Sequence, residues 1–332
     1  MGKLLQLLTE FTPAGFEIPM VPETLAALQP ETAHWDRATA RALLRLSDLA
    51  YGGEAEVRAF FTSAAACGWT LAETFHRSLA ASLLPVDTDG FVAFHAASGQ
   101  AAVCFRGSQP DLSEGISLIL DWWTNFRVTQ VAPDPTVFTG VQGRIHQGFF
   151  DGWSSARGIV RALLDQFPGG SRAIRALWCT GHSLGGALAT VAAADLVDEF
   201  PQQTSLWTYA QPRVGDPVFA KWLDEALAGR YHRVVNADDL VTHLPPSRFT
   251  TSSGTVLEFT HAGTEQRISP ERAHNAVSTI LSLLPGASVT ERPSLGTLFA
   301  GMLDGKALHK PVMDHIRSVR AADVSGYYQN LL

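Results

Sequence analysis

After residue 35 the apolar positions Leu43, Leu44, Leu46 and Leu49 return on one side of a helical wheel, and Gly52-Gly53 closes the run. A second helix is expected from about Glu54 to Cys67, where Gly68 stops it. The period then shortens. Residues 91–95 and 101–106 are brief apolar runs separated by Ala96-Ala97-Ser98-Gly99-Gln100, which reads as a β-hairpin. Beyond Gly148 a helix carrying Ile159, Val160, Leu163 and Leu164 reaches Phe167, an apolar strand follows at 177–180, and an alanine-rich helix runs from Gly186 to Phe200. Further buried strands are expected at 206–210 and 232–235. Strands apolar on both faces, alternating with helices, predict an α/β fold with a mostly parallel central sheet flanked by helices.

The rest of the pattern decorates that unit, which is read as a single domain over residues 1–332. Pro13, Pro19, Pro22 and Pro30 interrupt short apolar clusters, so residues 1–35 read as an N-terminal arm. Residues 255–260 and 266–269 read as a hairpin, and the apolar stretches 271–284 and 294–303 as a helical insertion spanning 270–308. No internal repeat or low-complexity segment is visible.

Composition narrows the function. With 46% hydrophobic residues the chain can bury a full core. The net charge of -7 comes without a basic stripe, which argues against a nucleic-acid partner. Three cysteines make no disulfide framework, and Cys104 and Cys179 fall in apolar strand patterns as small buried thiols. No metal or other cofactor is expected, and no obligate protein partner is evident. The start Met1-Gly2-Lys3-Leu4-Leu5-Gln6 shows no signal peptide, and no run is long enough to span a bilayer. The expectation is a cytoplasmic protein, or a secreted one whose leader has been removed.

The candidate chemistry lies at Gly181-His182-Ser183-Leu184-Gly185. A serine hydroxyl is a poor nucleophile until a base takes its proton and a sharp strand-to-helix turn lifts it clear of the backbone. The bare five-residue pattern is weak, but an apolar strand before it and a helix after it are the setting a nucleophile elbow needs. In that case the amide of Leu184 is one oxyanion donor, and the acid and base should follow Ser183 along the chain. Asp238 and Asp239 follow the 232–235 strand, at the strand end where such sheets place functional groups. His243, His261, His274, His309 and His315 are the candidate bases. His182 reads as an orienting packing residue, His146 as structural, and Arg106 as a buried ion pair.

Several motifs in fixed order resemble the class 3 (fungal-type) lipase family of α/β-hydrolases. They are Phe105-Arg106-Gly107-Ser108, Asp121-Trp122, His146-Gln147-Gly148-Phe149, Thr180 through Ala189, Pro212-Arg213-Val214-Gly215, and Asp239-Leu240-Val241 followed by Leu244-Pro245-Pro246. The resemblance covers about residues 90–246 plus the tail. It implies hydrolysis of acylglycerol esters through a Ser-Asp-His triad under a mobile lid, at a lipid–water interface. Ser183 takes the nucleophile's place and Asp239 that of the acid, while Thr242 stands where proline is usual. The family's histidine lies in a loop shortly before a C-terminal helix, which Asp314-His315 with Tyr327 and Tyr328 resembles; His309 is the remaining candidate. The second oxyanion donor falls at Ser108. Residues 108–126 read as the lid, with Ile116, Leu118, Ile119, Leu120, Trp122 and Trp123, together with Phe149, as substrate-facing or lid positions. The alternatives are a phospholipase A1 or feruloyl-type esterase, or an interaction scaffold on a lipase-like fold.

Overall fold

A computed structural model describes residues 25–30, 34–78, 87–107, 129–236, 239–251 and 253–268. Two helices come first, α1 (Arg37–Leu49) and α2 (Gly53–Phe61), then strands β1 (Thr70–Ser78), β2 (Asp87–His95) and β3 (Gln100–Phe105). A small pair, β4 (Gln130–Val131) and β5 (Ile145–His146), leads into α3 (Gln147–Leu164). The alternating part follows: β6 (Ala176–His182), α4 (Leu184–Leu196), β7 (Thr204–Tyr209), α5 (Pro217–Leu227) and β8 (Tyr231–Val235). Last come β9 (Arg248–Thr250), β10 (Val256–Glu258) and β11 (Thr264–Arg267).

The main sheet has the order β1-β2-β3-β6-β7-β8-β11. β1, β2 and β3 pair antiparallel, and every pairing from β3 to β11 is parallel. Because side chains alternate across a strand, each strand feeds two cores. Val103, Phe105, Leu177, Cys179 and Leu206 face α3, α4 and α5, whereas Ala102, Cys104, Trp178, Trp207 and Tyr209 face α1 and α2. This double burial makes the central strands mostly apolar, and polar residues within them bond to their neighbours, as Gln100 does to Trp178 and Thr180 to Trp207 O. Burial also pushes the thiols up, Cys179 to about 12, so both cysteines stay protonated.

The expected hairpin of β2 and β3 is present, and α1 begins on Asp36, whose carboxylate accepts from the Thr39 amide at 2.7 Å. The second helix ends at Phe61 instead of Cys67. Thr62 and Ser63 donate their hydroxyls back to the carbonyls of Ala59 and Phe60, competing with further helical turns, and a short 3-10 turn at Ala64–Ala66 follows. The described part of the expected arm is not extended away from the body. Leu25 and Leu28 sit in the α1 core, Gln100 Nε2 donates to Leu28 O at 3.0 Å, and Trp35 stacks on Trp207 at 5.5 Å. Prolines forbid a long helix there, but the 3-10 turn Leu25–Ala27 is enough to bury two leucines. The hairpin read at 255–269 is also corrected: β10 pairs with β9, and β11 adds to the main sheet parallel to β8. β1 and α5 have no counterpart in the sequence reading. The lid segment and the 270–308 insertion lie outside the described residues.

Helix α4 is buried at every position, so no polar face holds it in place. Its one buried acid does that work. Asp195 accepts from Trp153 Nε1 at 3.1 Å and Arg157 Nε at 2.7 Å, and pairs with Arg161 at 3.3 Å, which ties α4 to α3. Asp195→Ala would leave a buried indole N–H and two guanidinium groups without their acceptor. We expect a loss on the order of 3 kcal/mol, read as a lower urea midpoint at unchanged slope.

Candidate active site

The register of the parallel strands brings their C-terminal ends to one level. Phe105 pairs with Gly181, Gly181 with Thr208, and Thr208 with Arg233. The residues that follow these ends therefore share one edge of the sheet, where α/β folds place their chemistry. β3 leads into Arg106-Gly107, β6 into Ser183, and β8 toward Asp239.

Ser183 stands between β6 and α4 with φ 56° and ψ −126°, a backbone conformation that a residue with a side chain rarely adopts. It is held there by its amide, which donates to Tyr209 O at 2.9 Å, and by its carbonyl, which accepts from the Gly186 amide at 3.0 Å. The turn can be this tight because two side chains are missing. A Cβ on Gly181 would collide with the Gly185 backbone, and one on Gly185 would collide with the Phe105 carbonyl and lie 2.9 Å from the Arg106 carbonyl carbon. Strand β3, the elbow and α4 thus meet backbone to backbone. Ser183 remains partly exposed while its neighbours His182 and Leu184 are buried. Leu184 opens α4, so its amide is among the N-terminal donors that no helical carbonyl satisfies.

His182 turns away from the serine. Its Nδ1 hydrogen-bonds to the Tyr51 hydroxyl at 2.9 Å, and Tyr51 also packs against Gly107, where a Cβ would collide with it. One tyrosine at the end of the α1 segment therefore touches both the elbow and the end of β3. Beneath them Ser47 Oγ meets Thr180 Oγ1 at 2.9 Å, and Thr180 Oγ1 donates to Trp207 O at 2.8 Å. His146 is buried with its ring 4.4 Å from that of Phe149, and burial pushes its pKa down to about 4. It is neutral at pH 7. Arg106 pairs with Asp89, whose carbonyl also accepts the Arg106 amide at 2.9 Å. The guanidinium is partly exposed, but it serves an ion pair as expected.

Asp239 is fully buried, caps the 3-10 turn Leu240–His243, and accepts from the Val241 amide at 3.0 Å through Oδ1. Phe149 lies on α3 inside the core at 0% exposure, packed with the helices rather than on an accessible surface. Ser108, Ile116, Leu118, Ile119, Leu120, Trp122, Trp123, His309 and His315 lie outside the described residues, as does Asp238. Tyr51 was missed by the sequence reading, since only the fold brings it to His182, 131 positions away. Arg213 was noticed only as part of a motif, and His261 only as one of the candidate bases.

The model of the lipase (class 3) family matches residues 102–249, the stretch from β3 to β9 that contains the elbow and Asp239. The chain belongs to the class 3 lipase family. A lipase of Rhizomucor miehei is 33% identical over 238 residues, covering 67% of this chain and 58% of that protein. A secreted mono- and diacylglycerol lipase of Fusarium solani is 38% identical over 132 residues, covering 40% of this chain and 37% of that one. The chain thus spans less than two thirds of the length of these two relatives. Among solved structures, a triacylglycerol lipase described as having a serine protease triad at its catalytic centre superposes with a TM-score of 0.52 at 25% identity, over 75% of this chain and 90% of that one. The chain therefore has the α/β-hydrolase fold, and the elbow lies within the stretch that the family model matches.

The backbone contact across Gly185 gives a paired prediction. Gly158, exposed on α3 with nothing within 4 Å of where a methyl group would sit, should accept alanine and gain about 0.5 to 1 kcal/mol from helix propensity. Gly185→Ala should cost about 1 to 3 kcal/mol and suppress activity, because the added methyl can be housed only by parting β3 from the elbow. Denaturant melts and esterase assays on the two variants read both signs.

Proposed function

We propose that this class 3 lipase hydrolyses carboxylic ester bonds of acylglycerols through an acyl-enzyme on Ser183. The observation that carries the reading is the strained, partly exposed Ser183 at the head of a wholly buried helix, one backbone contact away from the end of β3. The triad is Ser183, Asp239 and His315. His315 takes the Ser183 proton as Oγ adds to the ester carbonyl, and Asp239 orients the imidazole and stabilises its charged form. The oxyanion is met by the Leu184 amide and by Ser108. The imidazolium then protonates the departing alcohol, water attacks the acyl-enzyme with the same base, and a fatty acid leaves. The sequence motifs and the burial of Asp239 beside the strand ends support these roles.

The substrate class follows from the relatives that are named as acylglycerol lipases, and the secreted Fusarium protein supports a secreted setting over a cytoplasmic one. Among the described residues no helix is long and apolar enough to cross a membrane. Contact with lipid is assigned to an apolar cover. Residues 108–126 are that lid. Its Ile116, Leu118, Ile119, Leu120, Trp122 and Trp123 would each gain roughly 1.5 to 3 kcal/mol on leaving water for a lipid surface.

Two measurements test this. A fluorophosphonate probe should label the protein stoichiometrically and lose all labelling in Ser183→Ala; labelling retained in that variant would remove Ser183 as the nucleophile. Hydrolysis of a long-chain triglyceride should rise sharply where the ester forms droplets, whereas a rate that passes smoothly through that concentration would rule out the lid.

A further inference from the structure

The loop that carries Asp239 is gripped by its own carbonyls. Arg213 donates its backbone amide to Leu244 O at 2.6 Å, while its Nη1 donates to His243 O and, at 2.7 Å, to Pro245 O. From the other side His261 Nε2 donates to Thr242 O at 2.7 Å. A carbonyl can only accept, so His261 is held as the Nε2–H tautomer. Four successive carbonyls, of residues 242 to 245, are thus taken by two side chains and one amide. His261 is fixed in turn by Arg233 on β8, whose Nε donates to Ala262 O at 2.9 Å. Inside the loop, Thr242 donates its hydroxyl to Asp239 O at 2.8 Å and its amide to the same oxygen at 3.2 Å. These two bonds restrain the turn where the family's usual proline would do so through its ring.

We propose that Arg213 and His261 are positioning residues that set the direction of the Asp239 carboxylate by clamping residues 242–245. Resting on Asp239 as the triad acid, the proposal adds to that reading two residues that act through the backbone of the acid loop. The guanidinium suits the position because one nitrogen reaches two carbonyls that diverge from a turn. Burial, reinforced by neighbouring Arg233, brings Arg213 down to about 10, still well above neutrality, so the clamp stays charged in the working range. Burial together with Arg233 and Arg213 keeps His261 neutral at the same pH.

The test uses the full chain with p-nitrophenyl butyrate, active sites counted by fluorophosphonate titration. Arg213→Met should lower kcat at least tenfold with KM within about twofold, and should shift the acidic limb of the kcat/KM profile to lower pH, because a carboxylate turned away no longer favours the imidazolium. His261→Leu should do the same more weakly, and His261→Gln, whose amide can still donate to Thr242 O, should recover most of the loss. Unchanged kcat and acidic limb per titrated site in Arg213→Met, even with a lower melting point, would overturn the clamp. Asp239→Asn separates the two claims. If that variant is inactive while Arg213→Met behaves as the parent, the clamp alone fails; if Asp239→Asn is fully active, the triad reading fails and the clamp with it.

Discussion

The site depends on a contact between main chains. Where α4 starts, Gly181 and Gly185 bring the elbow against itself and against the last carbonyls of β3, at separations that leave no room for a methyl group. That approach fixes Ser183 at φ 56° and ψ −126°, and it also sets the elbow against the end of β3. A nucleophile and its oxyanion donors must be set relative to one another within fractions of an ångström. Rigid backbone is better suited to that than side-chain packing, because its position has few rotamers to average over.

Holding such a strained turn requires support on both faces of the sheet. On one face α4 is roped to α3 through Asp195, and on the other α1 lies across β6 with Ser47 bonded to Thr180. Tyr51, just beyond α1, reaches His182 inside the elbow. These residues of α1 and its C-terminal end precede position 102, where the match to the family model begins. The N-terminal helices are therefore structural partners of the catalytic edge, and Leu25, Leu28 and Trp35 extend the same layer. Removing them would expose Trp178, Trp207 and Tyr209, a contiguous apolar surface prone to aggregation.

The pattern made the parallel core legible because strands buried on both faces carry short continuous apolar runs, as at 101–105 in β3 and 176–179 in β6. The elbow was legible for a related reason: its glycines mark backbone contacts that no other residue type allows. The strand β1 was not, since it sits at the sheet edge with Phe75 as its one buried residue, and its pairing with β2 slips register between Leu71 and Glu73. The 255–269 region was misread because a three-residue strand chooses its partner through tertiary contacts, and Val256 to Glu258 lies beside Arg248 to Thr250 rather than beside the segment that follows it. Nothing in the alternation of residues 264 to 267 announces a parallel partner as distant as β8. The roles of Tyr51, Arg213 and His261 were hidden for the same reason: each depends on what the fold places opposite.

The two halves of the site are built on opposite principles. Ser183, the proposed nucleophile, is set by side chains that are absent, and the loop of Asp239, the proposed acid, is held by side chains that are present: Arg213, His261 and Thr242. A missing side chain has no substitute, since any Cβ at Gly185 meets backbone. Hydrogen bonds to a carbonyl can be supplied by several residue types, and a stiff ring can be exchanged for a hydroxyl that reaches the same oxygen. The acid loop therefore has room to vary in sequence, and at Thr242 the hydroxyl and amide both bond to Asp239 O, whereas the elbow has none. In a chain of this kind a departure from the family's pattern near the acid is weak evidence of lost function; the same departure at the elbow would be strong evidence.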